Sequence, residues 1–170
     1  MHMIGDSLAV GTKPFLNDAW RSAQHASGRK GSASSNALGG RTLAQGMHEY
    51  NAMKHKPKVM AMGLFTNDDP GDVAKLRAAV KKTIADARKR GGRVVWATIA
   101  RPPYGGTSYD AANRMLRELA EQNQDVMGLA DWAREVHKRP SLLDQDHIHA
   151  TSSGYKVRAR LYAQAAAGPR

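Results

Sequence analysis

The segment KPKVMAMGLFTNDDPGD, residues 56–72, decides the fold class. Val59 to Phe65 is an unbroken apolar run. A half-exposed strand would alternate apolar and polar residues; a continuous run is expected of a strand covered on both faces, as in a parallel sheet. The run ends in the polar loop Thr66–Gly71. Asp72 then stands where it can cap a helix over 73–90, whose stripe is Val73, Leu76, Val80, Ile84 and Ala87. Gly91-Gly92 stops that helix, and RVVWATI (93–99) reads as the next strand.

The same rhythm extends both ways. Downstream lie a loop (100–108), a helix over 109–123 with Met115, Leu116 and Leu119 inward, and a strand over 126–130. Residues 132–148 read as irregular around Pro140. Thr151 or Ser152 caps a last helix, 153–166, with Tyr155, Leu161, Tyr162 and Ala165 inward. Upstream, residues 1–4 suit a short buried strand ending at Gly5. A helix over 10–25 is entered through Thr12-Lys13-Pro14. The Gly- and Ser-rich stretch 26–41 reads as loop with one weak strand near 31–36. Leu43, Met47, Tyr50 and Met53 mark a helix over 42–54. Alternating strands and helices predict an α/β fold: a three-layer α/β/α sandwich around a five-stranded parallel sheet.

Composition sets the bounds. The 170 residues suit one domain, spanning 1–170, with room for a real core. No apolar stretch approaches the ~20 residues that span a bilayer. The opening residues lack the basic region and long apolar region of a signal peptide, and the compartment stays open. Cysteine is absent, which excludes disulfides, thiolate nucleophiles and Cys-ligated zinc. The formal net charge of +11 favours polyanionic partners. That charge falls over 54–58, 75–93, 134–139 and 156–160 rather than in one tail. Much of it has helical spacing, as in Lys75, Lys81, Lys82 and Arg88, which reads as a solvated face rather than a specific nucleic-acid surface.

In an open parallel sheet, ligands bind outside the carboxyl ends of the strands. Four polar clusters fall at such ends: Asp6-Ser7, Gly39-Gly40-Arg41, Asn67-Asp68, and Asp146-His147-Ile148-His149. Each has a part in acyl transfer. A serine hydroxyl needs a base to take its proton. Histidine serves near neutral pH, and a carboxylate on its other ring nitrogen fixes the tautomer. The Ser7 and Gly40 backbone N–H groups and the Asn67 amide offer donors for an oxyanion.

The blocks IGDSLAVG (4–11), GGRT (39–42), TND (66–68) and DHIHATSSGY (146–155), in this order, resemble the SGNH/GDSL hydrolase family. The resemblance spans essentially the whole chain. It implies a flavodoxin-like sandwich and ester hydrolysis through an acyl-serine intermediate, with no cofactor. Carried over, Ser7 is the nucleophile, Asp146 orients, His149 is the base, and Ser7, Gly40 and Asn67 form the oxyanion hole.

Two departures stand out. The family's third block usually reads Gly-x-Asn-Asp, and here Phe65 occupies the Gly position, either narrowing an acyl pocket or packing into the core. The last block holds two Asp-x-x-His frames, Asp144/His147 and Asp146/His149; the second is chosen because Ala-Thr-Ser-Ser-Gly-Tyr follows it, leaving His147 at the rim. Four acids and histidines within residues 144–149 invite a metal, but the spacing of hydrolytic zinc sites is absent, so no metal is expected. Arg41 and Arg101 are candidates to hold an anionic or sugar substrate, or are simply exposed. Tyr104 lines the pocket or packs on its own turn. Asp68 stabilises its loop or touches substrate.

The expected activity is hydrolysis of short acyl esters, with deacetylation of a carbohydrate or anionic cell-wall polymer as the substrate reading. The alternatives are a binding module of the same fold that grips an anionic polymer, and a basic nucleic-acid-binding protein. Oligomeric state is not legible.

Overall fold

The computed structural model describes residues 1–168; Pro169 and Arg170, inside the span expected for the domain, lie outside it. Five strands, β1 (His2–Gly5), β2 (Ser34–Ala37), β3 (Val59–Gly63), β4 (Arg93–Ala97) and β5 (Met127–Ala130), form one sheet in the order β2-β1-β3-β4-β5. Every pairing is parallel.

Six helices cover the sheet: α1 (Ser7–His25), α2 (Leu43–Ala52), α3 (Val73–Lys89), α4 (Asp110–Gln122), α5 (Trp132–Lys138) and α6 (Ser152–Ala167). The apolar run at β3 divides between two layers, because successive strand residues point to opposite faces. Met60 and Met62 join Ile4, Val94 and Trp96 against α2, α3 and α4. Ala61 joins Met3 and Val95 against α1 and α6. The expected three-layer α/β/α architecture is therefore present, and the methionines and Ala61 occupy the two faces of one buried strand.

From β1 the chain moves outward to β2, then returns across β1 to β3 and continues the other way. The strand order thus reverses between β1 and β3, and a crevice opens at such a switch point, beyond the carboxyl ends of the strands. Ser7 sits there, two residues past the end of β1.

Local structure departs from the sequence reading in several places. Helix α1 begins at Ser7, not near residue 10. Asp6 is its N-cap, with Oδ1 accepting from the Leu8 N–H at 2.9 Å. Pro14 consequently lies inside the helix, on an exposed face where water can reach the carbonyl it leaves without a donor. Asp72 holds the cap position of α3, but its carboxylate pairs with Lys75 at 2.7 Å and makes no cap bond. Residues 132–138, expected to be irregular, form α5, capped by Asp131 and anchored by the fully buried Trp132. Strands β3 and β4 end at Gly63 and Ala97, while the apolar residues just beyond them stay buried. Thr151 caps α6, accepting from the Gly154 N–H. Its buried face is Gly154, Val157, Arg158, Tyr162, Ala163 and Ala166, rotated from the one expected, so that an arginine points inward.

Candidate active site

Gly5 brings the turn that carries Ser7 close to the sheet. A Cβ at this position would collide with the Ala9 Cβ and meet the Gly63 carbonyl oxygen at 2.8 Å, so only glycine lets β1, β3 and α1 converge. The Asp6 N–H donates to the Gly63 carbonyl at 3.1 Å, continuing the β1–β3 ladder by one residue. Ser7 follows, half-buried, as the first residue of α1.

The last block lies on the segment before α6. The Asp146 carboxylate organises its own loop: Oδ1 accepts from the Ile148 N–H at 3.0 Å and the His149 N–H at 2.9 Å. Its Oδ2 lies 2.6 Å from His149 Nδ1, and His149 Nε2 lies 3.0 Å from Ser7 Oγ. The hydrogen bonds to the imidazole and to these two amides hold the Asp146 carboxyl down to about 2. Of the two Asp-x-x-His frames, the second reaches the serine. Asp144 accepts from the Gln145 N–H, and His147 is exposed with φ +55°.

The two other loops are joined beside this row. Leu38 to Arg41 form a turn closed by the Arg41 N–H donating to the Leu38 carbonyl at 3.3 Å. Gly40 has φ +72°, a backbone conformation that calls for glycine whether or not a ligand approaches. Asn67 Nδ2 donates to the Arg41 carbonyl at 3.2 Å. The Asp68 carboxylate accepts from the Leu43 N–H at 2.8 Å, capping α2 from another loop, and burial pushes this carboxyl up. The positions of Gly40 and Asn67 are thus fixed by bonds between the β2–α2 and β3–α3 loops.

Arg41 is neither exposed nor free to meet a substrate. It is buried, and its guanidinium donates to the Gly5 carbonyl, the Asn36 carbonyl and Asn36 Oδ1. It pins the ends of β1 and β2 together, a role set by tertiary packing. Arg101 donates to the Thr66 carbonyl and stacks on Tyr104, 5.2 Å from the ring centroid. Tyr104 and Thr107 exchange backbone hydrogen bonds across a Gly105-Gly106 turn, which leaves the Tyr104 ring exposed at the rim. Arg101 and His147 line one groove of about 420 Å³ together with Tyr109, Asn113 and Val136. Phe65 is fully buried and meets Tyr109 edge-on; it lines a separate cleft of about 300 Å³ with Leu43, Met47 and Asp68. Neither lining includes Ser7. Among the described residues no group of three acids or histidines is placed to hold a metal.

One part of the site was not legible in the residues. Behind Ser7 the Asp6 carboxyl is fully buried, and Arg158 of α6 is buried nearby. Burial pushes the Asp6 carboxyl up while the Arg158 guanidinium pulls it the other way. Asp6 Oδ2 and Arg158 Nε each lack a hydrogen-bond partner. The available signal was periodicity, since Arg158 stands four residues after Gly154 and four before Tyr162.

Residues 3–157 match the model of the GDSL-like lipase/acylhydrolase family. The chain belongs to this family. It is a hydrolase of the SGNH type. A search of curated proteins returned no match. Similar folds are found in the lipase/acylhydrolase from Enterococcus faecalis (19% identity, TM-score 0.74, covering 96% of this chain and 92% of that one). They are found also in the acetyl xylan esterase AlAXEase (16%, TM-score 0.72, 94% and 96%). A third is the C-terminal catalytic domain of peptidoglycan O-acetyltransferase A from Streptococcus pneumoniae (24%, TM-score 0.62, 96% and 88%). At these identities the likeness is one of fold, and it agrees with the α/β architecture described above.

Proposed function

We propose that this GDSL-family chain is a serine esterase that removes short acyl groups, acetyl foremost, from a carbohydrate or cell-wall polymer. The observation that carries the reading is the row in which Asp146 Oδ2 meets His149 Nδ1 at 2.6 Å and His149 Nε2 meets Ser7 Oγ at 3.0 Å. Ser7 Oγ–H donates to His149 Nε2, and His149 Nδ1–H donates to Asp146. As Ser7 Oγ bonds to the ester carbon, its proton passes to Nε2 and the carbonyl electron pair moves onto oxygen. That oxygen is received by the Ser7 and Gly40 N–H groups and by Asn67, whose amide turns from the Arg41 carbonyl toward it. Collapse expels the alcohol, which takes the proton from His149. Water then repeats the sequence on the acyl-serine and releases the acid.

The substrate reading rests on two supports. One is the match of residues 3–157 to the GDSL-like lipase/acylhydrolase family, and the other is that two proteins of similar fold are an acetyl xylan esterase and a peptidoglycan O-acetyltransferase domain. Hydrolysis of p-nitrophenyl esters of increasing chain length, by wild type and Ser7→Ala in parallel, tests the reading. Activity highest on acetate and lost in Ser7→Ala is expected. Equal rates in the two proteins, or a preference for long chains, overturn it.

A further inference from the structure

The topology gathers charge that looks dispersed along the chain. The connections at the carboxyl ends of the strands (residues 6, 38–42, 64–72, 98–109, 131 and 139–151) hold seven Asp and only three Lys or Arg. Those at the opposite end (26–33, 53–58, 90–92 and 123–126) hold six Lys and Arg and a single acid, Asp125. Arg88, Lys89 and Arg93 flank that second set, and Arg88 neutralises Asp125 at 3.0 Å. The molecule has an acidic catalytic end and a basic far end.

Some of these cations are spent on local structure: Lys58 donates to the Gly91 carbonyl, and Arg93 to carbonyls of the β5 edge and α6. Arg29, Lys30, Lys54 and Lys89 are different. They are exposed, and none takes part in an ion pair among the described residues. They lie on the connections entering β2 and β3 and at the end of α3 beside the connection entering β4, which together span three strand spacings, or about 14 Å.

We infer that this far end is a docking surface for a flexible, linear phosphodiester polymer. Charge complementarity supplies the attraction. What the end lacks narrows the partner. The exposed large apolar side chains, Val10, Leu38 and Tyr104, all lie toward the catalytic end. Among the described residues the basic end therefore offers no apolar wedge for a membrane and no exposed ring on which nucleobases stack. A polyol-phosphate chain needs neither. The surface uses none of the residues of the Ser7 row, so the inference stands apart from the esterase reading. Held at the far end, the protein presents its catalytic end outward to the surroundings of the polymer.

The test measures binding of end-labelled poly(glycerol phosphate) at low salt. It compares wild type, the variant Arg29→Gln/Lys30→Gln/Lys54→Gln/Lys89→Gln, and a control with equal charge loss elsewhere, Lys13→Gln/Lys81→Gln/Arg114→Gln/Arg134→Gln. The far-end variant should bind roughly tenfold or more weakly, with a salt slope shallower by about 3, while the control stays near wild type. Hydrolysis of p-nitrophenyl acetate should match wild type in both variants. No binding by wild type, or equal losses in both variants, overturns the surface. Tighter binding to a DNA duplex or to phosphatidylglycerol vesicles overturns the choice of partner.

Discussion

The Phe65 ring meets the Tyr109 ring edge-on, with centroids 6.3 Å apart and planes at 88°, while the Phe65 backbone is held at φ +84°. A residue in the conformation that favours glycine has been kept for its side chain. Two effects oppose each other here. The left-handed backbone costs about 1–2 kcal/mol for an L-residue, and truncating a buried Phe costs about 3–5 kcal/mol. Packing wins. Phe65→Ala keeps the strain and loses the ring; Phe65→Gly loses the ring but relieves the strain. Urea unfolding should therefore rank wild type first, Phe65→Gly second and Phe65→Ala last, with roughly 1 kcal/mol between the two variants. Ala at or above Gly would show that the backbone stores no strain there.

The two histidines of the last block make an internal comparison. His149→Ala should lower kcat/KM on p-nitrophenyl acetate by several orders of magnitude, as should Ser7→Ala, and the double variant should be little worse than either. His147→Ala should stay within about tenfold, since its ring lies in the groove with Arg101 and not against Ser7. Near-wild-type turnover in His149→Ala sinks the assignment.

Asp146 has a pH signature. Its carboxyl is held down to about 2, so its support of the imidazole is fully present above the ordinary carboxylate range and is lost only as pH falls through about 2. The acid limb of the kcat/KM profile should therefore follow one proton between pH 3 and 8, with no second ionisation. Asp146→Asn should lower the plateau by roughly 10⁴. A second acidic ionisation above pH 3 that vanishes in Asp146→Asn would contradict the geometry.

The buried Asp6 and Arg158 bear on stability. Burial raises the Asp6 carboxyl, so the folded state holds a proton that the unfolded chain releases, and stability falls as pH rises between the two pKa values. Arg158 limits that loss. Arg158→Met removes the charge that opposes the burial of the Asp6 carboxylate, and its penalty should grow as pH rises. Adding Asp6→Asn should recover much of it. Urea midpoints across pH check this; a penalty that does not change with pH would mean Arg158 acts through packing alone.

Much of the fold and the Ser7 row was legible because each rested on local pattern. Val59 to Phe65 announces a two-sided strand by having no polar residue, and the polar clusters announce themselves by standing at strand ends. What was illegible depended on contacts distant in sequence. The burial of Arg41 follows from acceptors at Gly5 and Asn36, one of which precedes it by 36 residues. Helix α5 had weak periodicity, and it forms because Trp132 finds a pocket against Leu142 and Val157. Pro14 resembles a first-turn residue and points to a later start for α1, whereas the helix begins from an Asp6 cap just after β1. The charge polarity is invisible in a linear reading, since only the strand order tells which connections share an end.

Ser7 and His149 are 142 residues apart in the chain. At a synthesis rate of about 5–20 residues per second, a ribosome leaves Ser7 without the His149 imidazole for on the order of ten seconds. Throughout that interval the serine is an ordinary alcohol, and under the proposed mechanism it gains reactivity only when α6 docks against α1. A reactive-serine label on Ser7, if the proposed mechanism holds, would thus date the docking of α6 against α1.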